Sequence, residues 1–368
     1  MKFTIVKEKL YPILQNAGNF TTSKNLSTIL QNLLIEASAT SVTIKTTNFQ
    51  TAFSCTLDAN ILEPGATTVS AKKLSDIVKE LPDGKDIDFI FDGSRLHVKS
   101  GRSTFQLATM DADLFPKTSA ITPEYSFNID GELLLSVFKK VAFCISNDTS
   151  KIEYNGAHIN VFADKIEVSA ADYQRIATTS VTFAGFSDEF MVNIPKKTVL
   201  DMMRIFEGAP SIQVETDKRQ ILFKTENMSV SSKLIEKYIK SITRLFSVEY
   251  KLNAKIDRQL LSEVVKRISA ITSEITHGIL FSFTSSNLTV TSLETEHGKG
   301  MEVVEGIEFD GEAMDIIFNA KHLLEILSNI QTDTVNFAMN SKAQPALILP
   351  ESGDAKYLLV PISVEKLT

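Results

Sequence analysis

The chain contains no tryptophan and only two cysteines, Cys55 and Cys144, among 368 residues. Two cysteines in unrelated settings make no disulfide framework, and the count suits a reducing compartment. Neither belongs to a CxxC pair, so the common zinc motif is missing. Both read as small buried hydrophobes. No apolar run reaches the ~18 residues of a membrane-spanning helix. The opening MKFTIVKEKLYPIL is broken by Lys7, Glu8 and Lys9 and lacks the apolar centre of a secretory signal. A cytoplasmic protein without membrane contact is expected.

Signals of catalysis are equally scarce. The five histidines are His97, His158, His277, His297 and His322, and none lies two to five residues from another His or Cys. There is no GxSxG, HExxH or Gly-rich phosphate loop. Asp111 and Asp113 pair two carboxylates, but beside the Phe115-Pro116 stop and without a basic partner, as in a solvated turn. No metal or cofactor is expected, and no enzymatic activity. An excess of positive charge is also missing. The net charge is −7, so any contact with nucleic acid must come from local concentration of Lys and Arg.

What the chain does have is an internal repeat. Lys72, Lys196 and Lys321 each follow a short strand-like run and open an amphipathic helix, at spacings of 124 and 125 residues. Phe3, Phe127 and Leu252 open a second strand-helix segment at the same two spacings. Between these segments run alternating or β-branched stretches: Ser41–Lys45, Asp88–Phe91, Lys165–Ser169, Gln220–Lys224, Asn287–Thr291 and Tyr357–Val360. The pattern predicts an α+β fold of three similar domains, residues 1–122, 123–247 and 248–368. Each would hold two helices and about eight strands, with most of the 23 phenylalanines building the cores. Three such units can serve as a solenoid, a triple-site binder or segments of a ring.

Charge is segregated along the repeat. The helix windows 7–17, 71–81, 130–145, 195–207, 257–270 and 320–330 carry +4, leaving −11 for the rest. Mildly basic helices and acidic sheets fit a surface that neutralises phosphates without reading bases. Ordinary solvated helix faces would give the same count, and Glu263 with Arg267 is at helix-supporting spacing.

The stretches Met1-Lys2-Phe3-Thr4, Ile29–Leu34, Glu63–Val69, Ser100–Ser103, Asp113–Pro116, Tyr154-Asn155-Gly156, Ser231–Leu234 and Tyr357–Ile362 are specific and occur in this order. On them rests a resemblance, over nearly the whole length, to the beta subunit of bacterial replicative DNA polymerase, the beta sliding clamp family. It implies three clamp domains per chain and a head-to-tail dimeric ring, with helices lining the hole and sheets outside. It implies double-stranded DNA as a partner, held topologically and without sequence preference. It also implies a hydrophobic cleft for peptides of the polymerase catalytic subunit, the clamp loader and other clamp-binding-motif proteins, in a nucleoid-associated setting. By resemblance the cleft is Tyr154, Ala171, Tyr173, Arg175, Ile176, Leu245, Pro345, Leu358, Val360 and Ile362. The DNA-facing residues are Lys24, Lys72, Lys73, Lys79, Lys139, Lys140, Lys196, Lys197, Arg204, Lys266 and Lys321. The dimer contact is Phe105 and Leu107 against Ala270 and Ile271, through edge strands.

The sequence also departs from the family. Asp172-Tyr173-Gln174-Arg175-Ile176 stands where the family tends to have Asp-Gly-His-Arg-Leu, and Lys240 where it often has Pro. Ala270 is smaller than the usual aliphatic residue. Beside the clamp reading stand a three-domain peptide-binding adaptor without nucleic-acid contact and, more remotely, a hydrolase using Asp111 and Asp113.

Overall fold

The computed structural model describes residues 1–22, 27–117, 121–183, 186, 189–239 and 242–363, with backbone alone for Thr243 and Arg244. In the first repeat the order is β1 (Lys2–Val6), α1 (Lys7–Gly18), β2 (Asn32–Ala37), β3 (Ser41–Thr47), β4 (Thr51–Asp58), β5 (Asn60–Glu63), β6 (Gly65–Ser70), α2 (Ala71–Glu80), β7 (Asp86–Phe91), β8 (Arg95–Ser100) and β9 (Ser103–Met110). The second has β10 (Tyr125–Asp130), α3 (Gly131–Val141), β11 (Gly156–Val161), β12 (Lys165–Ala171), β13 (Arg175–Thr182), β14 (Phe190–Pro195), α4 (Lys196–Ile205), β15 (Ser211–Thr216), β16 (Gln220–Lys224) and β17 (Met228–Lys233). The third has β18 (Leu252–Asp257), α5 (Arg258–Ser269), β19 (Gly278–Phe283), β20 (Asn287–Ser292), β21 (Met301–Glu305), β22 (Glu308–Asp310), β23 (Met314–Asn319), α6 (Ala320–Asn329), β24 (Thr334–Met339), β25 (Ala346–Pro350) and β26 (Lys356–Leu359).

Each of the six described α-helices follows directly on a strand, as the repeat requires. The junction residue commonly supplies the helix N-cap, which satisfies an otherwise orphaned backbone donor. Ser70 accepts from the Lys73 N–H, Asp130 from Leu133, Asp257 from Leu260 and Asn319 from His322. Helix faces then follow the 3.6-residue period. Leu10, Leu14 and Ala17 of α1, and Leu74 and Val78 of α2, are buried. Leu261, Val264, Val265 and Ile268 of α5, and Leu323, Ile326 and Leu327 of α6, are buried likewise. The named strands pair antiparallel, so each presents a core face and an outer face.

The described strands form sheets of thirteen, nine and four strands. The chain divides into two compact units, Met1–Leu134 with Leu200–Leu234, and Leu135–Val199 with Ile235–Thr368. The thirteen-stranded sheet, ordered β10-β15-β16-β17-β4-β3-β2-β6-β9-β8-β7-β1-β5, lies within the first. Its core includes the stacked pair Phe3–Phe89, with ring centres 4.7 Å apart. The nine-stranded sheet β14-β11-β12-β13-β26-β25-β24-β18-β22 and the four-stranded sheet β21-β20-β19-β23 lie within the second. Phenylalanine fills both units, with Phe20, Phe53, Phe223, Phe281, Phe318 and Phe337 among the largest fully buried side chains. Both cysteines are buried and unpaired, and burial pushes the Cys55 thiol up to about 12 and the Cys144 thiol higher still.

The observed helix boundaries sharpen the charge segregation. Asp130 and Asp257 are caps and Glu207 lies past the end of α4, so the six helices carry +7 and the remainder −14.

Candidate functional site

In the nine-stranded sheet the strand register assembles an apolar row. Ala171 pairs with Ile176, Ile176 with Leu358, Leu358 with Leu347, and Leu347 with Ala338. Directly paired residues share a face, so these five side chains cross β12, β13, β26, β25 and β24 as one stripe. Ala338, Leu347 and Leu358 are buried, and Ile176, Phe246, Tyr250 and Leu349 pack against them half-buried. Of the other residues expected at the cleft, Leu245 is 47% exposed and Val360 36%, Pro345 is exposed, and Ile362 is half-buried with its N–H donated to the Ile317 carbonyl of β23. An apolar stripe with a partly open apolar border suits an extended peptide with aliphatic anchors.

The turn between β12 and β13 borders this stripe. Asp172 Oδ1 accepts the backbone N–H groups of Gln174 and Arg175, both at 2.8 Å. The Gln174 carbonyl accepts the Val360 N–H at 2.8 Å, tying the turn to the end of β26. Tyr173, at the tip, is 43% exposed, and its ring stacks on Tyr154 with centres 5.1 Å apart. The Lys151 ammonium lies 4.7 Å from the centre of the Tyr173 ring.

Tyr154 ends a 3₁₀ turn, Ile152–Tyr154, that is pinned from beneath. The Glu153 carbonyl accepts from His158 Nε2 at 3.0 Å and from Asn193 Nδ2 at 3.2 Å. Gly156 permits this approach, since a Cβ there would sit 2.1 Å from Asn193 Oδ1. Burial depresses the His158 imidazole to about 4, outweighing the opposing pull of the Glu153 carbonyl. The unfolded chain therefore takes up a proton first, and stability falls as pH drops from about 6.5 to about 4. Between pH 7.5 and pH 5, His158 is expected to account for about 2 kcal/mol of lost stability. Urea titration of the wild type and His158→Phe at both pH values checks this, because the variant should lose correspondingly less.

Arg175 is placed differently from its expected role at the cleft. Its side chain is 9% exposed, and Nε donates to Asp172 at 3.0 Å. Nη1 pairs with Glu325 on α6, and Nη2 donates to the Phe143 carbonyl at 3.2 Å. The guanidinium thus orders the 172–174 turn from below and has little left to offer a peptide.

The basic residues divide into two groups. Lys72, Lys73 and Lys79 on α2, Lys139 on α3, Lys197 on α4, Lys266 on α5 and Lys321 on α6 are exposed. Lys140 is half-buried, and Arg204 is exposed but paired with Asp201 at 2.8 Å. Lys196 turns inward and donates to the Ile145 carbonyl at 2.7 Å; burial, reinforced by nearby Arg175, lowers its pKa. Lys79, Lys139, Lys140, Arg204 and Lys266 sit in last turns, where they also complement the helix dipole. Lys24 and Lys240 lie outside the described residues.

Phe105 and Leu107 lie on β9, whose residues Ser103–Ala108 pair with β8 on one side. Among the described residues, only Thr109 and Met110 of β9 pair on the other side, with β6. Ala270 caps helix α5, where the helix window 257–270 ends, and Ile271 follows it, so neither sits on the edge strand that the resemblance implied. The Ile271 side chain lies beside Gly298 and Gly300, at the entry to β21. That strand pairs with β20 alone among the described residues, and its Met301 and Val303 are exposed. Arg267 of α5 holds it through Glu302, at 3.0 and 2.7 Å. Met301 and Val303 are interface candidates that sequence reading missed, although their strand starts 126 residues after β13.

That spacing exposes a rule. β4 pairs with β17 within the first compact unit, and β13 with β26 within the second. β13 starts 124 residues after β4, and β17 starts 125 residues after β9. So the two joints are repeats of one another, and the members left without such a partner among the described residues are β9 and β21. The turns match too. Asn48 Oδ1 accepts from Gln50 and Thr51 as Asp172 does from Gln174 and Arg175, and the Gln50 carbonyl accepts the Lys233 N–H at 2.8 Å. The rows differ. At the first joint the stripe reads Thr47, Ala52, Ser231, Leu222 and Glu215, so its polar members leave no apolar groove.

Among the described residues no cluster of His, Cys, Asp and Glu is placed to hold a metal, and no helix is long and apolar enough to cross a membrane. Comparison with known proteins agrees along the whole chain. Family models for the DNA polymerase III beta subunit match residues 1–119 (N-terminal domain), 128–238 (central domain) and 243–363 (C-terminal domain). A beta sliding clamp of Caulobacter vibrioides is 27% identical, over 99% of this chain and all of that protein. The solved DNA polymerase III subunit beta of Pseudomonas aeruginosa superposes with a TM-score of 0.93 at 26% identity, over 99% of this chain and all of that one. The C. crescentus beta sliding clamp superposes with a TM-score of 0.94 at 26% identity, over 99% of each chain. With the threefold repeat, its two equivalent joints and three consecutive domain matches, the chain belongs to the DNA polymerase III beta subunit family.

Proposed function

We propose that this chain is a DNA sliding clamp, a non-enzymatic ring of two copies that encloses duplex DNA and tethers replication and repair proteins to it. The observation that carries the reading is the unmatched pair of edge strands. A chain with two β4·β17-type joints and one spare strand of each kind closes by pairing β9 of one copy with β21 of the other, twice. Such head-to-tail closure also removes two open sheet edges. Phe105, Leu107, Ala270 and Ile271, joined by Met301 and Val303, form this contact. The domains are residues 1–122, 123–247 and 248–368, and the setting is the cytoplasm at the nucleoid.

Lys72, Lys73, Lys79, Lys139, Lys140, Lys197, Arg204, Lys266 and Lys321 face the DNA, joined by Lys24 on the resemblance; Lys196 contributes mainly to its own domain. Helices at +7 attract phosphate without holding it tightly, and nothing among these residues selects a base sequence. A closed ring needs no tight contact, because it leaves only by opening or by sliding off an end. The partner cleft is the Ala171–Ile176–Leu358 row with Tyr154, Tyr173, Leu245, Pro345, Val360 and Ile362 at its border and Arg175 beneath. Docking a polymerase or clamp-loader peptide there keeps the partner at high effective concentration on the DNA.

The test is retention on nicked circular against linearised DNA, after loading by a clamp loader, in about 0.5 M salt where phosphate contacts are largely screened. Persistence on circles with rapid loss from linear ends is expected. Equal loss from both would overturn the topological mechanism in favour of a peptide-binding adaptor.

A further inference from the structure

We propose that Tyr173 is a built-in occupant of the partner cleft, covering a Tyr154 face that takes an aromatic residue of a docking peptide; this rests on the peptide-docking reading above. The backbone of the turn is fixed. Asp172 takes two of its N–H groups, and the Gln174 carbonyl holds the Val360 N–H. The Tyr173 side chain is not fixed in the same way. It is 43% exposed, and its ring lies on the face of Tyr154 at 5.1 Å with the Lys151 ammonium at 4.7 Å. The ring can leave that face by side-chain rotation without disturbing the turn.

The chain's own ring shows what the Tyr154 face accepts. Tyr173 follows Ala171 by two residues, so the stack stands at the end of the Ala171–Ile176–Leu358 row. A peptide laying aliphatic side chains along the row would bring its next anchor toward Tyr154. An aromatic anchor must displace Tyr173, whereas an aliphatic one gains little by doing so. Tyr173 therefore sets specificity by competition, lowering affinity for peptides ending in an aromatic residue while leaving aliphatic-ended ones nearly unaffected. Lys151 adds to the hold on the resident ring.

The experiment uses the full-length protein and two fluorescein-labelled, leucine-containing hexapeptides that differ only in a final Phe or Leu. Dissociation constants are read by fluorescence anisotropy for wild type, Tyr173→Ala, Tyr173→Phe and Val360→Ser. Tyr173→Ala is expected to tighten the Phe peptide about 3- to 10-fold, the range of one aromatic stack. The Leu peptide should change less than about twofold, and Tyr173→Phe, which keeps the ring, should match wild type. Weakening of both peptides by Tyr173→Ala, or an equal change in both, would overturn the proposal. If neither peptide binds wild type, or Val360→Ser weakens neither, the docking reading itself falls. Val360 lies on the border of the row, so its substitution leaves the fold intact while testing that reading separately.

Discussion

Phe105→Asp is expected to dissociate the ring into folded single copies. Phe105 is 37% exposed on the open side of β9 and makes no part of the buried core. In the proposed β9·β21 pairing it would be covered, together with Leu107, against Met301, Val303 and Ile271. The substitution removes an aromatic side chain whose burial contributes about 2 kcal/mol. It also places a carboxylate where water is excluded, and the desolvation cost of an unpaired ion is larger still. A dimer dissociation constant raised at least about a thousandfold is the expected result, read by sedimentation equilibrium. The thermal transition of the separated copy should remain cooperative. Loss of retention on circular DNA should follow, because an open chain cannot be topologically held. An unchanged dissociation constant would remove β9 from the contact and with it the equivalence of the three joints.

The second large effect is expected at Arg175. Its buried guanidinium serves Asp172, Glu325 and the Phe143 carbonyl together. Arg175→Ala leaves the largely buried Asp172 carboxylate and a carbonyl with one fewer donor, for which about 3 kcal/mol of lost stability is expected. Arg175→Lys keeps the charge but not the planar fork and should recover only part of the loss. Glu325 is half-exposed, so Glu325→Gln should cost under about 1 kcal/mol. Urea-induced unfolding of the three variants checks the order. Equal, small losses would mean that water already screens the pair.

The repeat was legible in the sequence because each domain reuses the same strand-to-helix junction. Lys72, Lys196 and Lys321 mark α2, α4 and α6, and the alternating runs at Ser41, Lys165 and Asn287 start β3, β12 and β20. The apolar row was legible in its members but not in its register, since Ile176 and Leu358 become neighbours only through the β13·β26 pairing. The role of Arg175 was hidden, because its partner Glu325 is 150 residues away in sequence. The inward turn of Lys196 was hidden likewise, since its acceptor is a backbone carbonyl and leaves no trace in residue type. The end of α5 was legible, since the helix window 257–270 stops at Ala270; the resemblance alone placed Ala270 and Ile271 at an edge-strand contact. The edge β21 had a readable sign, the spacing from β13, which becomes meaningful only once β13 is known to be a joint strand.

The equivalence of the joints has a consequence for where such a ring yields. If all three kinds of joint use the same strand pairing, their backbone ladders are alike even where their side chains differ. Two of them, however, are spanned by the polypeptide itself. When β4 parts from β17, or β13 from β26, the separated strands remain on one tether, and re-pairing competes only with the entropy of a loop. When β9 parts from a neighbouring copy's β21, no covalent segment bridges that gap. Polymer connectivity, more than side-chain chemistry, then determines that opening occurs between copies. A single-chain fusion linking the two copies would shift the balance toward the closed state without altering one interface residue.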